Sequence, residues 1–133
     1  MANEAVCIEL PRIIKRRKIT GAIVKGTVLY FSADPNTAAA SSAADQSFAG
    51  IAVEEVTAAD YAAGVTEVGA AMDGVWDIKD SGAGATLGTA VAIGGANLFV
   101  TADAADLLNG AFLGYLQETA GAGEVCRVEL RGY

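Results

Sequence analysis

Histidine is absent from this sequence, which removes a Cys-His nucleophile and any site that needs an imidazole ligand. Serine and threonine are plentiful, yet no histidine or suitably spaced lysine stands ready to activate one of them. The two cysteines, Cys7 and Cys126, lie near opposite ends, and neither has a second Cys or His at metal-ligand spacing. Free, half-buried thiols are expected, with the sulfurs close together only if the first and last strands are neighbours. Trp76 is the one tryptophan, expected to anchor the core between two halves, with an interface contact as the alternative. No apolar stretch approaches the roughly 20 residues that a membrane helix needs. The cationic run Arg12–Lys18 follows a short apolar patch instead of preceding it, the wrong order for a secretory signal, so an intracellular product is expected.

Cations are scarce beyond the first 25 residues. Up to Lys25 there are six Lys and Arg against two acids, a balance of +4; the remainder has three against fourteen, a balance of −11. A basic segment on an acidic body predicts an extension that docks on a partner, since opposite fields steer association. Nucleic acid is a poor candidate, because the cationic run is short, lacks interleaved aromatics and sits on a body of the wrong sign.

What is present is a duplication. From Gly26 the chain reads G-T-V-L-Y-F, F-A-G-I-A-V-E-E and G-V-T-E-V-G-A-A-M-D-G-V-W; from Gly88 it reads G-T-A-V-A-I, F-L-G-Y-L-Q-E-T and G-E-V-C-R-V-E-L-R-G-Y. Gly26, Gly50, Gly64 and Gly74 match Gly88, Gly114, Gly123 and Gly132. Two similar β-rich halves, about 19–79 and 80–133, are expected to face each other around one small closed core. The 53% hydrophobic content overstates that core, since alanine supplies about two fifths of it. Short strands with frequent turn signals predict an all-β sandwich or barrel-like domain with one or two short helices. Thr57–Gly64 has a Thr cap, an acid in the first turn and a terminating glycine, and 102–108 is a second helix candidate. Ala33–Ser47 reads as an exposed loop, and Asp73-Gly74 as a hairpin turn. Residues 1–18 read as an extended basic arm ahead of a single domain over 19–133, so their removal is expected to leave that domain folded.

Chemistry-bearing patterns are weak. Gly82, Gly84 and Gly88 have the wrong last spacing for a dinucleotide loop and lead into a strand. Asp73, Asp77 and Asp80 lack the pattern of a calcium loop and read as turn-making and solubilising residues. Lys79, beside Asp77 and Asp80, keeps open an alternative: a biotinyl- or lipoyl-type β-barrel carrier domain with Lys79 as the attachment site.

The order of a leading arm, G-T-V-L-Y-F, an Ala-rich loop, F-A-G-I-A-V-E-E, V-G-A-A-M-D-G-V-W-D-I-K, G-T-A-V-A-I and the closing G-Y-L-Q-E-T with C-R-V-E-L resembles the capsid decoration, or cement, proteins of tailed bacteriophages. It covers most of the chain from Ile19 onward. The resemblance implies a β-sandwich or barrel-like fold and a homotrimer on the outer capsid surface of the virion, made in the host cytoplasm. It implies that the chain binds the major capsid protein and stabilises the shell, with no enzymatic activity, cofactor or metal, and no nucleic acid or membrane partner. The arm is the segment it implicates in capsid binding, through Ile8, Leu10, Pro11, Arg12, Ile13, Ile14, Lys15, Arg16, Arg17 and Lys18.

Overall fold

The computed structural model describes residues 3–34 and 36–131. In chain order the elements are β1 (Val6–Glu9), β2 (Ile14–Ile19), β3 (Val28–Phe31), β4 (Thr37–Ala40), β5 (Phe48–Ala52), α1 (Ala58–Ala62) and β6 (Glu67–Ala71). There follow β7 (Asp73–Asp80), β8 (Ala90–Gly95), β9 (Leu98–Thr101), α2 (Ala104–Asn109), β10 (Phe112–Leu116) and β11 (Val125–Arg131). The fold is the all-β, two-halved barrel expected, and the duplication is complete at the level of strand pairing. One barrel has the order β2-β4-β3-β5-β6 and closes β6 on β2; the other has β7-β9-β8-β10-β11 and closes β11 on β7. In each, the first strand runs parallel to the third and antiparallel to the fifth. Gly26 and Gly88 turn into β3 and β8 at φ of +88° and +85°, a left-handed backbone that glycine adopts without steric cost. The expected counterpart of Gly74, Gly132, lies outside the described residues.

Each half closes on itself, so the single closed core expected from the sequence is replaced by two packed interiors. The N-terminal barrel encloses nine buried residues, Ile19, Leu29 and Val68 among them, of which four are alanine. The larger cluster fills the C-terminal barrel with Phe99, Ile93, Leu113, Val128 and Leu130, and extends to Val28, Phe48, Ile51 and Ala71 of the N-terminal barrel. Trp76 belongs to this shared cluster, and its indole N–H donates to the Asp73 carbonyl at 3.1 Å. Burying a Val, Ile or Phe side chain is worth about 1.5–3 kcal/mol, and an alanine far less. The N-terminal barrel is therefore held by its partner as well as by its own contents.

Three local readings change. The segment expected to stand outside the domain supplies β1 and, from Ile14 to Lys18, five of the six residues of β2. β1 pairs with β7 (Cys7 opposite Trp76), whereas β2 pairs with β6 from Ile14 opposite Ala71 to Lys18 opposite Glu67. Asp73 fixes the corner between them, accepting from the backbone N–H groups of Arg12 at 2.8 Å and Ile13 at 2.9 Å. Second, Asp73-Gly74 is no hairpin turn. β6 and β7 belong to different barrels and Met72 alone joins them; at Gly74 a Cβ would lie 2.8 Å from the Glu9 carbonyl, so close passage of β1 requires the glycine. Third, the loop over 33–47 contains β4, whose Ala38 is fully buried. Alanine is a poor strand former, but a narrow barrel interior has room for little else. Both helices carry a capping box, Thr57 with Asp60 and Asp103 with Asp106.

Two polar side chains organise the joints. Asn97, fully buried in the turn between β8 and β9, accepts from the Val28 N–H at 2.8 Å, and its own N–H donates to Ser41 Oγ at 3.0 Å. Asp80 accepts from the N–H groups of Gly84 at 2.7 Å, Gly82 at 3.0 Å and Gly123 at 3.0 Å. Its burial alone would raise its pKa, but the amides of Gly123, Gly84, Gly82 and Ser81 outweigh that and hold it below the usual range. The glycine amides that a phosphate loop would offer are thus committed to the protein's own carboxylate. Because the folded pKa is lowered, the stabilisation from Asp80 is complete above the unfolded value of about 3.9 and is lost as pH falls through the folded one. Urea titrations between pH 5 and pH 2 are expected to show stability falling in that window, with a shallower fall for Asp80→Asn. Equal slopes for the two proteins would rule Asp80 out as the source.

Candidate partner-binding face

The sequence-predicted docking residues divide between the surface and the interior. β1 ends its sheet, so beyond β7 its outer edge pairs with no second strand among the described residues, and Val6 and Ile8 are exposed. Leu10 is 85% exposed and Ile14 half exposed, and the two flank Pro11 in the corner between β1 and β2. Arg12, Lys15 and Lys18 are exposed and form no ion pair among the described residues.

The other three residues turn inward or are spoken for. Ile13 packs against the shared core. Arg16 pairs with Glu54 at 2.7 Å and Glu67 at 3.8 Å, a surface arrangement worth at most about 1 kcal/mol. Arg17 donates from Nε to the Ala49 carbonyl at 3.0 Å, and its guanidinium lies 4.8 Å from the centre of the Phe31 ring. A sequence cannot separate these roles, because alternate residues of a strand point to opposite faces and the partners are 14 to 55 positions away along the chain.

Leu10, Pro11 and Ile14 open onto a groove of about 260 Å³ that is completed by Cys7, Val53, Trp76 and Lys25. Sequence reasoning missed Val53 and Lys25, whose only signal is the fold that brings β5 and the β2–β3 connection alongside β1. The groove is mostly apolar, and past Cys7, Lys25 and Trp76 it adjoins a cavity of about 480 Å³ lined also by Glu4, Ala5 and Val6. The Cys7 thiol at its wall has a pKa raised by burial, against the pull of Lys25. Burial and then Glu118 push Cys126 up to about 11. Neither is a thiolate nucleophile at neutral pH. β7 separates β1 from β11, so the two cysteines do not share a strand pair, and both are free.

A second exposed apolar feature lies on α2, where Leu107 and Leu108 are 62% and 89% exposed. Its sequence signal is an adjacent leucine pair on a single capped helical turn, next to Asp103. Lys79 sits inside β7, opposite Val125 on one side and Leu98 on the other. A carrier lysine stands at an exposed hairpin tip; this one is partly buried in a sheet interior, and the carrier reading is withdrawn. Asp77 lies 3.8 Å from Arg127 in an ion pair, so the three aspartates serve different neighbours instead of one site.

No protein-family model matches the sequence, and no curated protein matches it. Among solved structures, the fold is similar to the crystal structure of head fiber gp8.5 N base in bacteriophage phi29. The TM-score is 0.55 at 16% sequence identity, covering 90% of this chain and 94% of that one. At this identity the likeness is one of fold.

Proposed function

We propose that this chain is a structural protein of a phage virion, a decoration protein on the outside of an icosahedral head. It acts as a homotrimer that stabilises the shell by clamping neighbouring major capsid protein subunits. The observation that carries this reading is the fold likeness, across 90% of the chain, to the base of a bacteriophage head fiber. The sequence resemblance to decoration proteins supports it independently, as does a surface whose exposed features suit docking better than catalysis.

A shell under internal pressure fails where neighbouring subunits separate. A protein that binds several subunits at once favours the closed state by mass action, and three weak contacts on one trimer reinforce one another through effective concentration. On this chain the capsid side is the open edge of β1 with Ile8, together with the exposed cations Arg12, Lys15 and Lys18. An extended capsid segment added to that edge gains main-chain hydrogen bonds, while the cations meet acidic capsid loops. Arg16 and Arg17, named with the others from sequence, stabilise the barrel that presents this face. No step of this function breaks or makes a covalent bond.

Co-sedimentation with shells lacking this protein tests the reading. The wild-type chain is expected to bind and to raise the temperature at which the shells rupture. Lys15→Glu with Lys18→Glu is expected to weaken binding more at low salt than at high salt, because exposed charges are screened over about 10 Å at 0.1 M. Ile8→Asp is expected to weaken it at every salt concentration. Undiminished binding by both variants would remove these residues from the capsid contact, and absence of wild-type binding would sink the function.

A further inference from the structure

The groove and the leucine pair of α2 are complementary in chemistry and sit at opposite ends of the same strand. Val53, the residue after β5, lines the groove. At the other end, Ser47 Oγ donates to the Asn109 carbonyl and the Phe48 N–H donates to the Gly110 carbonyl at 2.8 Å, which fastens the end of α2. The six residue steps from Ser47 to Val53, through the five residues of β5, separate the two points by about 20 Å, so a chain's own α2 cannot fill its own groove. The charges are also opposed. From Leu10 to Lys25 the sequence has six cations and no acid, and Lys25 stands at the groove's rim. From Ala102 to Cys126 it has four acids and no cation, with Asp103 exposed at the start of α2.

We infer that the groove formed by Leu10, Pro11, Ile14, Val53 and Trp76 receives Leu107 and Leu108 from α2 of a second copy of this chain. Lys25 faces the neighbour's Asp103. The inference rests on the homotrimeric reading above and gives it an interface. A knob and a groove on different surfaces make a head-to-tail contact, which closes into a ring when the rotation is right. The capping box and the bonds to Ser47 and Phe48 hold the leucines in place before binding, which lowers the ordering cost of association. The groove then belongs to the trimer, and the β1 edge and the exposed cations of the first 18 residues to the capsid.

Sedimentation velocity without shells tests the contact. The wild-type chain is expected to run as a trimer. Leu108→Asp on the knob and Leu10→Asp at the groove are each expected to weaken self-association by roughly 30-fold or more, the loss typical of an anchoring interface residue. Both positions are more than four-fifths exposed, so circular dichroism and Trp76 emission are expected to be unchanged. Lys25→Glu is a second groove variant that removes no packing. An equal mixture of Leu108→Asp and Leu10→Asp chains retains one intact knob and one intact groove per pair, so it is expected to form a dimer holding one of each. A wild-type dimer, the product of a two-fold contact in which each knob meets the other copy's groove, would overturn the inference. A monomeric wild-type chain, a trimer that survives both substitutions, or a mixture without the heterodimer overturns the inference. A monomeric wild type whose shell binding is lost with Leu10→Asp assigns the groove to the capsid protein instead. Trimers that survive both substitutions leave shell binding untouched, whereas trimers that fail to bind shells sink the decoration function alone.

Discussion

Deletion of residues 1–18 is expected to abolish the cooperative fold, the opposite of what the sequence suggested for a detachable arm. The deletion removes β1 and five of the six residues of β2. It opens the N-terminal barrel along the β2–β6 seam and takes away the parallel pairing with β4. It strips Asp73 of the two amides it accepts from, and removes the guanidinium that Arg17 places against Ala49 and Phe31. Each lost ladder bond costs about 0.5–1.5 kcal/mol, and a domain of this kind has about 5–15 kcal/mol in all. The Ala-rich interior exposed by the gap has little burial to set against that. Thermal melts by circular dichroism are expected to show no sharp transition for the truncated chain. A cooperative melt with native Trp76 emission would mean that β2 is dispensable and that the basic segment is an appendage after all.

Asn97→Ala is expected to cost about 2–5 kcal/mol, a loss on the scale of truncating a large core side chain. The Asn97 side chain joins the barrels by accepting from the Val28 N–H, at a site with no exposure to water. Removing that acceptor leaves a buried donor unpaired, which costs about 1–3 kcal/mol. The backbone at Asn97 is left-handed, with φ +57°, a conformation that costs alanine a further 1–2 kcal/mol or so. Asn97→Gly separates the two effects: glycine tolerates the backbone but supplies no acceptor, so it is expected to lose about 1 kcal/mol less than alanine. Urea denaturation gives both values. Equal losses for the two variants would show that strain plays no part, and losses below 1 kcal/mol would show that the barrels do not depend on this link.

The duplication was legible in the sequence because turns constrain residue type more tightly than strands do. Gly26 and Gly88 recur where the left-handed turns recur, and the Thr57 and Asp103 caps announce their helices. β4 was not legible, since Thr37–Ala40 has loop composition and its reason for being a strand lies in the narrow interior around Ala38. β2 was misread because only its last residue, Ile19, is buried. Its cations face water or distant partners, and charge patterning cannot tell an exposed barrel strand from an arm. The exposure of the apolar residues in the basic segment was half legible: Leu10 and Ile14 are presented to solvent, whereas Ile13, their neighbour, is turned into the core. Asp73-Gly74 has the composition of a tight turn, but its glycine answers to the passing β1.

The pairing of β1 with β7 also sets an order of events during synthesis. β1 leaves the ribosome well before the strand it lies against, and the amide of Arg12 waits 61 residues for the carboxylate of Asp73 that satisfies it. Until then the Val6–Leu10 stretch is an unclaimed apolar strand on a growing chain. The N-terminal barrel can close as soon as β6 emerges, but its outer face of Val28, Phe48 and Ile51 stays uncovered until the second half is made. Contacts this distant along the chain fold slowly, on the scale of milliseconds to seconds. The nascent protein is therefore most vulnerable to chaperone capture, proteolysis and mispairing with a neighbour on the same polysome between the emergence of β6 and the completion of β11.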